Sequence, residues 1–144
     1  MIKLITFKTE DTNIQVTYTP DIRTYTVVSE LMNDECKPFR IAQSAMMWVN
    51  DKGYLGEIEC IYAVSVSEQM CTFKDNLKDF DGFPAFEILC CDNEAFVQNL
   101  QSGFTIWLCK GREIDTVITF KQLRFLFSNN ELSAISCSEY EIVE

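Results

Sequence analysis

Short runs of four to eight residues rich in Ile, Val, Thr, Phe and Tyr recur along the whole chain, separated by Asn, Asp, Gly and Pro. Branched and aromatic side chains lose rotamer freedom in a helix and fit a pleated surface, so each run reads as a strand. Ten are expected, over residues 2–8, 13–19, 24–29, 45–50, 55–62, 85–91, 104–110, 116–120, 124–128 and 132–137. That many short strands implies a mainly β fold, an antiparallel sandwich or open barrel with one or two short helices. Two hairpins are marked by their turn residues. Asn50-Asp51-Lys52-Gly53 supplies a glycine able to take positive φ, and Asn129-Asn130 supplies two residues that tolerate the left-handed region.

Helix signals are few. Asp92 can cap, Glu94 favours a helix N-terminus, and Phe96, Val97 and Leu100 recur at helical spacing before Gly103, which predicts a helix over 92–101. Residues 67–77 and 40–47 are further candidates, the latter drawn toward strand by Met46-Met47-Trp48-Val49. The stretch from Phe73 to Pro84 shows no clear period and is expected to be a surface loop. No repeat, linker or compositional break divides the 144 residues, so a single domain, 1–144, is expected, large enough to build its own core.

The chemistry open to such a domain is narrowed by what it lacks. Histidine is absent, which excludes triad and Cys-His mechanisms, and no Walker loop, nucleophile elbow or dinucleotide-binding glycine pattern appears. The seven cysteines are an odd number without a C-x-x-C pair. Free thiols in a reducing compartment are expected, with Cys60, Cys90 and Cys109 as small core hydrophobes and no metal or cofactor. Adjacent Cys90 and Cys91 on a strand would face opposite ways. Residues 1–7 lack a signal-peptide pattern and no apolar run approaches bilayer length, so a cytoplasmic protein without membrane association is expected. Twelve basic against 22 acidic residues give a net charge of -10. That field repels phosphate backbones, which argues against nucleic acid, and it steers cationic proteins inward.

Among single residues, Glu57 and Glu59 form the tidiest carboxylate pair, since residues two apart on a strand share a face, but the solvated face of a half-buried strand explains them better than catalysis does. Asp75, Asp79, Asp81 and Gly82 only loosely suggest a calcium loop and lack its terminal glutamate. Trp107, Phe125 and Phe127 are expected in the core. Trp48, beside a hairpin tip, is either core or the aromatic anchor of an interface.

The segment from Trp48 through Asn50-Asp51-Lys52-Gly53 to Glu57-Ile58-Glu59-Cys60-Ile61-Tyr62, followed by Gly82-Phe83-Pro84-Ala85-Phe86-Glu87, resembles small bacterial immunity proteins that neutralise a cognate toxin delivered by secretion or cell contact. The resemblance implies a cytosolic antitoxin, not an enzyme, that binds a toxin domain, often a basic nuclease. Partner contact is then expected from Asp75, Asp79, Asp81, Asp92 and Glu94 with Trp48 as anchor. Two alternatives stay open: a carbohydrate- or small-ligand-processing β protein using Glu57 and Glu59, and a structural subunit pairing through its strand edges.

Overall fold

The computed structural model describes residues 1–61, 69–89 and 95–144, and these form fourteen strands and one 3-10 turn, Pro20–Ile22. Strands β1 (Ile2–Lys8), β2 (Ile14–Thr19) and β3 (Thr24–Ser29) are followed by β4 (Lys37–Ala42), β5 (Ala45–Val49) and β6 (Leu55–Ile61). Then come β7 (Cys71–Asp81), β8 (Phe83–Ile88), β9 (Phe96–Asn99) and β10 (Phe104–Trp107). The last four are β11 (Arg112–Phe120), β12 (Leu123–Ser128), β13 (Glu131–Cys137) and β14 (Glu141–Ile142).

They make two sheets. A six-stranded sheet runs β14-β2-β3-β6-β5-β4. An eight-stranded sheet runs β7-β11-β12-β13-β1-β8, with β10 added to β13 and β9 to β10. Strand alternation puts Val16, Val27, Ile58, Cys60 and Met47 of the first sheet on the same core side, facing Phe104, Phe125, Phe127 and Ile135 of the second. Ring contacts tie the layers together, with Tyr25 of β3 against Phe104 of β10 at 4.4 Å and Tyr54 stacked on Phe83 at 6.1 Å between centroids. The Tyr25 hydroxyl also donates to Asn99 Oδ1 of β9 across the layers at 2.6 Å. The molecule is a mainly β sandwich, and all ten expected strands are present within a few residues of their expected limits, apart from the ends expected at 62 and 90–91, which lie outside the described residues.

Both sequence-marked hairpins form. Gly53 has φ +89° and donates to the Asn50 carbonyl at 3.0 Å, while a side chain there would run into the Phe86 carbonyl. Asn129 and Asn130 both adopt positive φ, 50° and 67°, the backbone twist that matches a two-residue hairpin. The Asn129 N–H donates to Asp115 Oδ2 at 2.7 Å, and this bond, followed by the Thr116 hydroxyl and the nearby Lys74 and Lys78, holds the Asp115 carboxyl below its ordinary range. A depressed carboxyl stabilises the fold above its unfolded value near 3.9, and that contribution is lost as pH falls through the native value. Asp115→Ala is therefore expected to lower the urea-derived stability by about 1 kcal/mol at pH 7, a modest figure because the group is solvent-screened. The gap from wild type should close on acidification toward pH 2; a gap constant with pH would show that the carboxylate charge is irrelevant to the turn.

Several expectations are corrected. Residues 73–84 are not a loop, because 73–81 belong to β7, the edge strand of the larger sheet, and 83–84 open β8. The register explains the missing period: Phe73 pairs with Ile114 and Lys78 with Thr116, so three extra residues bulge from β7 and the side-chain alternation is broken there. The helix expected over 92–101 is replaced, in its described part, by β9 and the turn after it. Val97 faces the core opposite Ile106 and Phe96 lies on the other face opposite Trp107, so neighbouring apolar residues serve the two faces of a strand. The candidate helix at 67–77 is strand from Cys71 onward, its first two residues lying outside the described set, and 40–47 is the β4–β5 hairpin. The sheets are also not wholly antiparallel, since β7 pairs with β11 and β14 with β2 in parallel.

No α-helix occurs among the described residues, and none is long and apolar enough to cross a membrane. Cys36, Cys60, Cys71, Cys109 and Cys137 are free thiols. Cys60 is wholly buried as expected, Cys109 only half-buried, and Cys90 and Cys91 lie outside the described residues. Burial raises the Cys60 thiol and pushes that of Cys137 up to about 11. Phe125 and Phe127 are core, whereas Trp107 packs half-buried on a second, smaller cluster on the other face of the larger sheet with Val117, Leu126 and Ala134.

Two of the border strands of the larger sheet, β7 and β8, meet. Strand β7 passes through Gly82 directly into β8, its first part pairing with β11 and the continuation with β1. The Gly82 N–H donates to Thr119 of β11 at 3.0 Å, and Phe80 packs on Phe7 of β1 at 5.4 Å. Phe83, just past this bend, is fully buried between Phe120 and Tyr54.

Candidate functional site: an aromatic and acidic sheet face

The residues expected to contact a partner fall on different parts of the fold. Asp75, Asp79 and Asp81 are exposed on β7. Asp79 and Asp81 pair with Val117 and Thr119, whereas Asp75 lies in the bulge. Lys74 and Lys78 are interleaved with them and act on Asp115, so the field of these acids is partly neutralised in place. Asp92 and Glu94 lie outside the described residues. Trp48 belongs to the other sheet, on β5, and alternation turns it away from the core that Met47 and Val49 face. The acidic strand and the aromatic anchor do not make one site.

Trp48 instead shares its face with the carboxylate pair of β6. It lies directly opposite Glu57, and Met46 lies opposite Glu59. On the other flank Pro38 and Arg40 of β4 stand opposite Trp48 and Met46, and beyond β6 the same rows continue into Val28 and Thr26 of β3. Opposed residues on a face have Cβ atoms about 5 Å apart, so indole and carboxylate are neighbours. Trp48 and Glu57 are half-buried and Glu59 is exposed.

A bulge creates this arrangement. Val49 pairs with Leu55 but Trp48 with Glu57, leaving Gly56 as the extra residue. In an unbroken hairpin Trp48 would oppose Gly56, Met47 would oppose Glu57, and both glutamates would point into the core. A Cβ at Gly56 would sit 3.0 Å from Cys36 Sγ and from Met32 Sδ, tighter than an ordinary contact, so the segment before β4 lies close over the bulge and a larger residue there would have to displace those sulfurs. The signal was present in the sequence as a phase slip, because the apolar positions Leu55, Ile58 and Cys60 are spaced by three and then two.

The electrostatics of the face are unsettled in a specific way. Neither Glu57 nor Glu59 has an ion-pair or hydrogen-bond partner among the described residues, whereas Arg112 pairs with Glu131 and Lys121 with Asp11. Burial, and secondly the charge of Glu59, raise the Glu57 carboxyl above its ordinary value. The nearest cation on the face, Arg40, donates from Nη1 to the Gln43 carbonyl of its own hairpin at 3.0 Å. The indole N–H groups differ likewise: Trp107 Nε1 donates to Gln98 Oε1 at 2.6 Å, whereas that of Trp48 has no partner among the described residues.

A raised carboxyl disfavours the charged folded state, so the fold gains stability as pH falls through the native value of Glu57. Glu57→Gln is therefore expected to stabilise the protein at pH 7, by less than about 1 kcal/mol after solvent screening, with the advantage vanishing below the ordinary glutamate range. Thermal melts across pH would detect this, and a destabilised Gln variant at neutral pH would refute the electrostatic picture.

No family model matches the chain, and no curated protein does either. The face must therefore be read from its own chemistry. Elsewhere, a groove of about 320 Å³ runs between the edges of the two sheets, floored by Phe39, Val49, Phe86 and Ile88 and rimmed by charges of both signs.

Proposed function

We propose that this protein works by binding another macromolecule, as an immunity-type inhibitor that occupies a cationic toxin domain and blocks it. The observation that carries the reading is the outer face of the smaller sheet, where Trp48, Met46 and two glutamates with no ion pair or hydrogen bond among the described residues stand together on paired strands. Aromatic residues on a firm scaffold are the usual anchors of interfaces, and charge left without an internal partner favours an oppositely charged one. The net charge of -10 would steer such a partner in and repel nucleic acid from the same surface.

The geometry of Glu57 and Glu59 favours binding over hydrolysis. A raised carboxyl suits a general acid, but paired-carboxylate mechanisms place the scissile bond between the two groups. These two stand side by side on one strand and point the same way. Self-assembly through β7 is opposed by its bulge and its alternating Lys and Asp residues, features that keep edge strands from pairing.

The test is copurification of the tagged chain with the product of a neighbouring reading frame. A stoichiometric complex with a basic domain, and loss of that domain's toxicity on co-expression, are the expected results. Absence of a toxin-like neighbour together with no stoichiometric partner from the native host would end this reading.

A further inference from the structure

We infer that the Trp48, Glu57 and Glu59 face is a guanidinium-binding site that receives an arginine side chain from the partner. The inference rests on the reading of this face as a contact surface and narrows its chemistry. Three observations converge on one cation. The two carboxylates lie two residues apart on β6, roughly 7 Å at the strand rise, a span that one forked donor can bridge. Trp48 lies beside them across β5 and β6, offering an apolar ring face of the kind that attracts cations. Among the described residues the face has no cation that pairs with them, because Arg40 is held by Gln43 and β3 contributes Thr26 and Val28 to these rows.

Arginine fits better than lysine for physical reasons. Its planar group stacks on the indole while presenting several N–H donors in the plane, so one side chain can meet the ring and both carboxylates at once. It is also less strongly hydrated than an ammonium and gives up less water on approaching half-buried Glu57. A lysine could satisfy the charge but not the stacking and the fork together.

The test uses the full-length, ¹⁵N-labelled chain titrated with acetyl-Gly-Arg-Gly-amide and, separately, acetyl-Gly-Lys-Gly-amide, following the two indole N–H resonances. The Trp107 signal, held by Gln98, serves as the internal control. The arginine peptide is expected to shift the Trp48 signal saturably and to bind at least about fivefold more tightly than the lysine peptide. Glu57→Gln, whose spectrum reports that it folds, should weaken arginine binding by a similar factor, and Asp79→Asn with Asp81→Asn on β7 should leave it unchanged. Equal affinity for the two peptides, a stationary Trp48 signal, or equal losses from the β7 and β6 variants would each overturn the site. The two proposals fail separately. A copurified toxin whose affinity is indifferent to Glu57→Gln and Trp48→Phe removes the guanidinium site, and selective arginine binding without a toxin partner removes the immunity reading.

Discussion

Phe83→Ala is expected to be the most damaging single truncation considered, costing about 3–5 kcal/mol of folding free energy. The ring is wholly buried, 4.9 Å from Phe120 and stacked on Tyr54, where the smaller sheet meets the bend that joins two border strands of the larger one. The ammonium of Lys8 lies over it, 5.9 Å from its centre. Its removal leaves a cavity bounded by elements that cannot all collapse, since β8 is pinned on one side to β1 and through the Phe86 N–H to the Gly53 carbonyl at 2.8 Å. For a chain of this size the melting temperature should fall on the order of 10 °C. Urea and thermal unfolding would measure it, with Phe83→Leu as a milder companion. A loss below about 1 kcal/mol would mean that the junction is not where the layers are held.

Trp48→Ala should have the opposite profile, a small effect on folding and a large one on partner binding. Half-buried and pointing away from the core, the indole fills no internal space that must collapse when it is removed. As an anchor in a desolvated contact it should contribute on the order of 2–4 kcal/mol, a loss of roughly 30- to 1000-fold in affinity for the copurified partner. Calorimetry on the complex, with a parallel melt of the free variant, separates the two effects. Unchanged affinity would move the contact surface away from this sheet, and the edge groove beside Phe39 and Ile88 would be the next place to look.

Local chemistry made much of the fold legible. The ten expected strands and both hairpin turns follow from β-branched runs punctuated by residues that accept positive φ, and these preferences act over a few neighbouring atoms. The errors share one cause. The sequence of β7 looks like a loop because its three-residue bulge erases the period, and that of β9 looks helical because Phe96 and Val97 serve opposite faces of a sheet edge. Asp75, Asp79 and Asp81 are exposed, but on an edge strand and not on a loop.

The chain's composition and order of residues by themselves determined a β-rich fold, a strongly anionic surface and the absence of imidazole chemistry, because these depend only on which side chains are present and on their immediate neighbours. Only the tertiary structure decided which carboxylates share a face with Trp48. That pairing turns on the single extra residue at Gly56, admitted where the segment carrying Met32 and Cys36 crosses the hairpin. A shift of one residue in register reverses every side chain beyond it, and the neighbours of this bulge, Met32 and Cys36, come from a segment well before it in the chain.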